Sequence, residues 1–505
     1  MEELSRPIRL TSVKGLVPAL PELRWYRGLF ALYLKGFFYY TEVLVMDVKT
    51  LHQQFKTLNN KTIEVKGWVR NNRAQKAFGF IDLNDGTSFQ GIQVVYEEGV
   101  VEAFKATQKI RVGSSVEITG TLIETPDMKQ PFEVKATSVN LIGDASEDYP
   151  IQPKRHSREF LRQNAHLRPR TNLFTAVFRV RSILTHAIHS YFQERNFIHL
   201  ASPIITGVDA EGAGEFFRLT GFDLNKIPKN DQGNIDFKQD FFGKATYLTV
   251  TGQLEAEVFA QAFSKAYTFG PTFRAEKSNT PIHASEFWMV EPELAFTDLK
   301  GNMDSAEEMV KYIIQYVLDR APEEMAFFDK FVQKGLLKKL HEVVNKPFKQ
   351  VTHKEAIDIL IHANVRFENQ PIQGGDLATE HEKYLVKHFD GPVFVTDWPK
   401  NIKAFYMRLN DDNETVAAMD LLVPQAGELI GGSQREERLE MLQSRMKEMG
   451  IPEADLWWYL DLRKYGTTPH SGYGLGFDRM LMYLTGVENI RDVIPFPRTP
   501  KHCDF

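Results

Sequence analysis

Residues 272–296 read TFRAEKSNTPIHASEFWMVEPELAF. The two apolar halves of this stretch predict two strands, and the polar, proline-containing residues 277–284 predict the loop that joins them. A cation, Arg274, stands near the start, and two carboxylates, Glu291 and Glu293, stand near the end. Carboxylates within an apolar strand are costly unless something pairs with them. The stretch is therefore typical of either a buried structural ion pair or a binding site.

Alternation along the second strand predicts which of its side chains share a face. Phe287, Met289 and Glu291 fall on one face, and Trp288 and Val290 fall on the other. The first face carries the charge and the second is wholly apolar.

The composition excludes several classes of protein. The chain has 505 residues, which predicts about three domains. Hydrophobic residues at 43% and charged residues at 25% are typical of a soluble globular protein. The net charge of −5 means that nucleic acid could be bound only through local basic patches. The single cysteine, Cys503, excludes a disulfide framework and a cysteine zinc site, so a cytoplasmic location is expected.

The first 45 residues differ from the rest of the chain. Residues 28–40 are apolar and aromatic, but they are fewer than the ~20 residues that span a bilayer, and Lys35 interrupts them. An ordinary globular pattern starts after Met46. We expect residues 1–45 to be a leader that is disordered or not translated, and we expect no membrane contact.

Residues 46–146 are predicted to form a small β-barrel of the OB type. One helical stretch, residues 98–109, interrupts a series of five short strands separated by turn residues. The predicted strands are 62–69, 78–83, 89–95, 115–122 and 132–141.

A patch on this barrel has the composition of a surface that binds single-stranded nucleic acid. Arg70, Arg73 and Lys76 lie in sequence beside Phe78 and Phe80. Cations attract a phosphate backbone, and an exposed aromatic ring stacks on a base. In the alternative interpretation, Phe80 belongs to the barrel core and the cations are simply solvated.

Residues 147–172 are predicted to be a hinge. They contain three prolines and a strong excess of cations, which are Lys154, Arg155, Arg158, Arg162, Arg168 and Arg170. Such a charge run is usually a solvated face. Next to a nucleic-acid module, it could instead contact a phosphate backbone.

Residues 173–505 are predicted to form a mixed domain of helices and strands. Apolar residues recur at helical spacing over about 20 residues from Leu173 and again over residues 306–320, so both stretches are predicted to be helices. Residues 246–263 predict a strand, a turn and a helix. Further strands are predicted at 196–206, 404–409, 415–423 and 427–433. No chemistry follows from residues 321–400.

The segment 472–486, GYGLGFDRMLMYLTG, is predicted to be a glycine-rich piece that runs into a helix. Glycines before a helix N-terminus allow close backbone approach to a phosphate, and the N–H groups there favour anions. Arg479 adds a charged fork at the same place. The segment is therefore a candidate phosphate site.

Taken together, these segments resemble the class II aminoacyl-tRNA synthetases of the aspartate/asparagine/lysine subgroup. The resemblance covers nearly all of residues 60–505. Its three motifs correspond to the helix from Thr175 with the strand ending at Pro203, to FRAE with EFWMVEPE, and to GYGLGFDR. The stretches TVTGQLEAEVF, LIGGSQREER, LRKYGTTPHSGYGLGFDR and IRDVIPFPRTP are similar to the asparaginyl members.

The resemblance implies a fold, partners and cofactors. The fold is α+β, with an OB-type barrel followed by a class II catalytic domain whose antiparallel sheet is flanked by helices. The implied reaction activates L-asparagine with ATP and Mg²⁺ and transfers it to tRNA(Asn), and the implied assembly is a homodimer.

The resemblance also implies roles for particular residues. Arg274 and Arg479 would be catalytic and would bind ATP together with Glu276, Phe287 and Glu428. Asp420 and Glu428 would hold magnesium, and hard oxygen ligands suit that ion. Glu211, Gln253, Glu291 and Arg435 would bind the amino acid, and Phe80, Gln90 and Arg70 would bind the anticodon.

The choice between asparagine and aspartate as the substrate depends on which hydrogen-bond donors and acceptors line the pocket for the substrate side chain. A carboxamide offers an acceptor and an NH₂ donor, whereas a carboxylate offers only acceptors. Arg435 would bind the side-chain oxygen, and Glu291 would accept from the NH₂ and repel a carboxylate. Where the aspartate enzymes have a lysine, this chain has Ala256. The alternatives are an aspartyl-tRNA synthetase of relaxed tRNA specificity and a non-catalytic tRNA-binding relative.

Overall fold

The computed structural model describes residues 44–208, 216–277 and 280–505. Residues 1–43 lie outside the described residues, and they make up most of the predicted leader. Glu211 also lies outside the described residues. The described part is an α+β protein, as predicted, with a β-barrel near the N-terminus and a larger sheet-and-helix domain after it.

The barrel forms from six strands and two helices. The strands are β1 (Leu44–Val45), β2 (Thr62–Ala74), β3 (Phe78–Asn84), β4 (Ile92–Glu97), β5 (Ser115–Glu124) and β6 (Phe132–Gly143), and the helices are α1 (Val48–Leu58) and α2 (Phe104–Thr107). The order β1-β2-β3-β4-β6-β5 is closed by pairing between β2 and β5. Alternate residues of the strands, such as Ile63 and Val65, are fully buried in the barrel core.

Two barrel predictions need correction. The helix predicted at 98–109 is only four residues long. Gly99 adopts a φ of +81°, which an α-helix does not allow, so residues before Phe104 form turns instead. The barrel also includes Leu44 and Val45, which pair with Ile63 and Glu64 ahead of the predicted start at residue 46.

The hinge packs against the C-terminal segment. It contains a short helix, α3 (Arg158–Gln163). Arg168 is fully buried, donates to the carbonyl oxygens of Arg491, Ile494 and Pro495, and lies 4.4 Å from the ring centroid of Phe174. Arg162 forms two hydrogen bonds with the buried Asp492, at 2.9 and 2.8 Å.

Both interpretations of the hinge cations are therefore wrong for Arg162 and Arg168. These side chains are neither solvated nor open to a phosphate backbone, because they satisfy the carbonyl and carboxylate oxygens of the C-terminal segment. Lys154 and Arg155 are exposed, so for them the two interpretations remain.

The second domain contains the other elements. Its strands are β7 (Ile198–Leu200), β8 (Ile205–Thr206), β9 (Arg218–Leu219), β10 (Thr246–Leu248), β11 (Lys265–Phe273), β12 (Glu286–Ala295), β13 (Lys349–Thr352), β14 (Val393–Pro399), β15 (Thr415–Val423), β16 (Gly427–Gln434) and β17 (His470–Gly476). Its helices are α4 (Asn172–Glu194), α5 (Gln253–Phe263), α6 (Leu299–Arg320), α7 (Pro322–Phe331), α8 (Leu336–Asn345), α9 (His353–Ile361), α10 (Thr379–His388), α11 (Leu439–Glu448), α12 (Trp457–Lys464) and α13 (Phe477–Thr485).

An eight-stranded sheet organises this domain in the order β13-β14-β15-β16-β17-β12-β11-β7. The six central strands pair antiparallel, as predicted, and the edge strands β13 and β7 pair parallel to their neighbours. Helices α4, α6 and α13 pack on one side of the sheet through a large apolar cluster that includes Val290 and Leu294 of β12. On the apolar face predicted for β12, Val290 is thus a core residue, whereas Trp288 is 37% exposed.

Several predictions about local structure in this domain are wrong. Residues 404–409 are not a strand, because Met407 and Leu409 form only isolated bridges to Arg435 and Val416. The segment 196–206 is broken around Pro203 into two short strands that belong to different sheets. Strands β13 and β14 arise within 321–400, where no strand was predicted.

Candidate active site

One cavity, with a volume of about 320 Å³, collects the predicted residues of the second domain. It lies over the central strands of the sheet. The predicted residues that line it are Gln253, Arg274, Glu276, Phe287, Glu291, Asp420, Glu428, Arg435 and Arg479. Met289 lines it together with Phe287 and Glu291, so the alternation predicted for β12 is confirmed.

Glu291 is buried at one end of the cavity and accepts hydrogen bonds from neutral groups. Gly252 donates its backbone N–H at 2.8 Å and Thr268 donates its hydroxyl at 3.0 Å, both to Oε2. Thr251 donates its hydroxyl to Oε1. Such donors hold the carboxylate in place without cancelling its negative charge.

Arg435 is paired with the other carboxylate of β12. Its Nε and Nη2 donate to Glu293, and its Nη1 donates to the Ser433 hydroxyl at 2.9 Å. Both partners are almost completely buried. A Cβ on Gly472, which is paired with Glu293 across β12 and β17, would overlap the Glu293 carboxylate.

The glycine-rich segment is a strand, β17, and it runs directly into helix α13, as predicted. Gly472 provides space for the Glu293 carboxylate, and Gly474 provides space for the end of Met289. These two glycines therefore allow close packing at the cavity floor, and the phosphate site at this segment stays a prediction.

A second buried carboxylate, Glu257, lies behind this end of the cavity. It accepts from Tyr459, from Arg463 at 2.9 Å and from Gln253 at 3.1 Å, and its Oε2 lies 2.9 Å from Nε2 of His470. Burial alone would raise the pKa of Glu257, but Arg463 and His470 together bring it below its usual range. Donors face both of its oxygens, including the guanidinium of Arg463, as expected of an ionised carboxylate.

The other end of the cavity combines two arginines with an aromatic ring. The guanidinium carbon of Arg274 lies 5.5 Å from the ring centroid of Phe287. Glu276 lies nearby, with a carboxylate oxygen 4.0 Å from Nε2 of His283. Arg479, in the first turn of α13, reaches the carbonyl oxygen of Glu428 at 3.5 Å.

Helix α13 is held in place by Asp478. This buried carboxylate accepts from the backbone N–H of Trp288 at 2.9 Å and pairs with Arg181 of α4 at 2.5 Å. Asp478 thus ties the start of the helix to β12 and fixes the position from which Arg479 extends.

Three carboxylates converge near Arg479. A Cβ on Gly431 would lie 3.1 Å from Oε1 of Glu428 and 3.5 Å from Oδ1 of Asp420, so these two groups share one small space. Glu382 accepts from the backbone N–H of Glu428 at 3.2 Å. Burial, with the nearby charge of Glu428, raises the pKa of Glu382 to about 7. Lys403 pairs with Asp420 at 2.7 Å.

The carboxylates over Gly431 fit a magnesium ion. Mg²⁺ is usually held by one or two carboxylates together with substrate phosphates, and not by a full set of protein ligands. Among the residues that the structure describes, no group of three or more His, Cys, Asp or Glu side chains could hold a metal ion, so the magnesium site stays a prediction.

On the barrel, Phe80 lies outside the core and is partly exposed. The guanidinium of Arg73 lies 5.3 Å from its ring centroid, and Phe78 contacts its edge at 5.5 Å. The interpretation of Phe80 as a core residue is therefore wrong. Gln90 is exposed, whereas Arg70 lies at a bulge in β2 and donates to the carbonyl oxygen of Arg170 in the hinge.

Comparison with known proteins identifies the family. The family described as tRNA synthetases class II (D, K and N) matches residues 157–500, and the OB-fold nucleic acid binding domain matches residues 63–142. The first match covers more than half of the chain. The chain belongs to the class II tRNA synthetases.

Several class II tRNA synthetases resemble the chain closely. The asparagine–tRNA ligase of Acholeplasma laidlawii is 61% identical over 91% of this chain and 100% of its own length. That of Clostridium tetani is 58% identical over 91% and 99%. The crystal structure of asparaginyl-tRNA synthetase from Pyrococcus horikoshii with asparaginyl-adenylate is 33% identical, covers 88% of this chain and 97% of its own, and superposes with a TM-score of 0.77.

Sequence reasoning missed three residues of this class II synthetase site. Glu257 is one of several acidic residues in a helical stretch, Glu382 lies in the segment from which no chemistry was extracted, and Lys403 precedes a strand that does not form. Only their contacts across the sheet reveal them.

In the described ranges, no helix is sufficiently long and apolar to cross a bilayer.

Proposed function

We propose that this chain is an asparagine–tRNA ligase. It activates L-asparagine with ATP, releasing pyrophosphate, and then transfers asparagine from the adenylate to the 3′ end of tRNA(Asn). The observation that carries the choice of amino acid is the pair of groups at the buried end of the cavity, Glu291 and Arg435. The close similarity to relatives named asparagine–tRNA ligase supports it.

The two groups distinguish an amide from an acid in our proposal. Arg435 donates to the side-chain oxygen of asparagine, and Glu291 accepts from its NH₂ group. Because the described donors to Glu291, which are Thr251, Gly252 and Thr268, are all neutral, its charge would repel the second oxygen of aspartate. A site that hydrogen-bonds its substrate in this way can discriminate by ~10⁴–10⁵. Ala256, fully buried, supplies no compensating cation.

The same cavity supports adenylate formation by positioning and charge neutralisation. The carboxylate of the amino acid is already ionised, so its attack on the α-phosphorus needs no base. In our proposal Arg274 binds the α-phosphate and Phe287 stacks on the adenine, beside Glu276. Arg479 covers the other face of the adenine and binds the γ-phosphate. These cations reduce the negative charge that opposes the attack.

Asp420 and Glu428 would hold Mg²⁺ against the phosphates. The ion would neutralise charge on the β- and γ-phosphates and thereby favour departure of pyrophosphate. The convergence of the two carboxylates over Gly431 supports this assignment. Glu211 and Gln253 would receive the α-amino group.

The barrel would bind the anticodon through Phe80 and Gln90. An exposed ring beside Arg73 supports base stacking at Phe80. Arg70 would act from the junction with the hinge, where it contacts Arg170.

A homodimer is part of the proposal. Three isoleucines in and directly after the first family motif, Ile198, Ile204 and Ile205, are 41–43% exposed, as expected of side chains that a second copy of the chain covers. Sedimentation at micromolar concentration should give twice the mass of 58.0 kDa, and a monomer would contradict the assignment. A cytoplasmic location is proposed from the single cysteine.

The experiment that tests the function is ATP–pyrophosphate exchange with each of the twenty amino acids, followed by charging of a tRNA(Asn) transcript. Asparagine should support exchange, with aspartate weaker by ~10⁴. Equal exchange with aspartate would instead indicate an aspartyl-tRNA synthetase of relaxed specificity. Absence of exchange with any amino acid would indicate a non-catalytic relative.

A further inference from the structure

The fully buried carboxylate of Glu257 is surrounded by hydrogen-bond donors from three elements. Its own helix, α5, contributes the side-chain NH₂ of Gln253 one turn earlier. Helix α12 contributes Tyr459 and Arg463, and strand β17 contributes His470. Glu257 does not line the cavity, whereas Gln253 does.

The two carboxylate oxygens have different surroundings. Oε2 faces Arg463 and His470, each at 2.9 Å, and Tyr459 at 2.8 Å. Oε1 faces Nε2 of Gln253 at 3.1 Å and the Tyr459 hydroxyl at 2.9 Å. Arg435 lies 3.9 Å from the same Oε1.

This geometry determines the orientation of the Gln253 amide. An ionised carboxylate can only accept hydrogen bonds, so the amide must present its NH₂ to Glu257. The carbonyl oxygen of Gln253 is then directed toward the cavity that the residue lines. An acceptor in that position suits a cationic ammonium group, and an NH₂ in the same position would repel it.

We propose that Glu257 is a positioning residue for the amino-acid substrate. It holds the Gln253 amide with its carbonyl oxygen toward the cavity, where that oxygen accepts from the α-ammonium group. This inference rests on the proposed function, because it takes the ligand at Gln253 to be a free amino acid.

Substitution of Glu257 by glutamine should reverse the Gln253 amide. The new carboxamide places its oxygen toward Arg463 and His470, because these are the stronger donors. Its NH₂ then occupies the place of Oε1 and faces Gln253, whose amide must rotate by half a turn to accept from it. The NH₂ of Gln253 would then face the substrate ammonium.

The test measures pyrophosphate exchange for Glu257→Gln. Loss of a hydrogen bond to a charged group should raise the KM for asparagine by about 10- to 100-fold. The KM for ATP should change less than about twofold, because the nucleotide groups do not contact Glu257. An equal rise in both KM values, or no change in the KM for asparagine, would overturn the proposal.

The double variant Gln253→Glu/Glu257→Gln, in which the two positions exchange side chains, tests whether the KM for asparagine can be rescued. Glutamate at 253 accepts both from the new NH₂ at 257 and from the substrate ammonium, and the total charge is unchanged. The double variant should restore the KM for asparagine to within about fivefold of that of the original chain, a residual cost of up to ~1 kcal/mol. A double variant no better than Glu257→Gln would show that Glu257 acts only in folding.

Two further measurements separate the possible failures. Glu324→Gln removes another buried carboxylate, which pairs with Arg179 at a distance of 2.5 Å and does not line the cavity. This variant should lower stability without changing either KM. If Glu257→Gln alone does not fold, the double variant still decides: recovery of folding and of the KM supports the proposal, and failure of both overturns it. If the original chain activates a different amino acid, the proposed function fails, and the Glu257 proposal is judged on the KM for that amino acid.

Discussion

The two ends of the cavity handle charge in opposite ways. At the amino-acid end, the acids Glu257 and Glu293 are each paired with an arginine inside the protein. At the nucleotide end, Asp420, Glu428 and Glu382 crowd together, and among the described residues only Asp420 has an ion-pair partner, Lys403. Burial raises the pKa of an acid at each end, that of Glu293 to about 8 and that of Glu382 to about 7. Glu428 and Glu382 at the second end have no such ion-pair partner among the described residues, although Arg274 and Arg479 lie at the same end.

This difference indicates how each end recognises its ligand. A pocket whose groups are held by hydrogen bonds favours a neutral side chain and penalises a second negative charge beside Glu291, so it suits discrimination. An acidic cluster gains stability from a cation, so it suits a magnesium–nucleotide complex. We expect substitutions at the two ends to separate into effects on selectivity and effects on nucleotide and metal binding.

The largest expected effect is at the nucleotide end. Arg274→Ala should lower the rate of pyrophosphate exchange by about 10²- to 10³-fold, because it removes a preorganised cation from the α-phosphate. The exposed Arg366→Ala is the matched control and should leave exchange unchanged. Exchange by Arg274→Ala within a few-fold of the original rate would exclude Arg274 from the phosphate site.

At the amino-acid end, Glu291→Gln should lower the preference for asparagine over aspartate by about 10²-fold, because like-charge repulsion worth several kcal/mol is removed. The KM for ATP should stay nearly constant. Glu286→Gln, at the start of the same strand, is the control. An unchanged preference in Glu291→Gln would assign the selection to another residue.

The metal prediction separates the two ends further. A chelator should abolish pyrophosphate exchange, and Glu428→Gln should raise the Mg²⁺ concentration for half-maximal exchange by about 10-fold or more. The exposed Glu414→Gln should leave that concentration unchanged. If Glu428→Gln behaves like this control, the metal site lies elsewhere.

The smallest effect is expected on the barrel, no described residue of which lines the cavity. Phe80→Ala should raise the KM for tRNA(Asn) in aminoacylation by about 10-fold, since stacking on one base is worth about 1–3 kcal/mol. Pyrophosphate exchange should not change. Met128→Ala, which removes another exposed apolar side chain from the barrel, should affect neither reaction. A normal KM for tRNA in Phe80→Ala would place the anticodon on a different surface.

Local patterns in the sequence predicted much of the site. Strand alternation correctly placed Phe287, Met289 and Glu291 on the cavity face of β12, because that periodicity depends only on neighbouring residues. The class of fold also followed from the order of predicted strands and helices together with the resemblance, and the family match confirms it.

Long-range contacts could not be predicted in the same way. Glu293 and Arg435 are 142 residues apart, and only the packing of β12, β17 and β16 brings them together. The sequence predicted that Arg168 belongs to a solvated or phosphate-binding run of charges. In the structure it is buried and donates to carbonyl oxygens of residues more than 300 positions later in the sequence. A run of charged residues in a sequence shows the charge of each side chain but not which groups contact it in the fold.

The most direct test of the account is a crystal structure of the protein with a non-hydrolysable analogue of asparaginyl-adenylate. We predict that the side-chain nitrogen of the asparaginyl group lies within hydrogen-bond distance of Glu291 and its oxygen within hydrogen-bond distance of Arg435. An analogue bound with that nitrogen remote from Glu291, or with that oxygen making no contact with Arg435, would contradict the proposed basis of amino-acid selection.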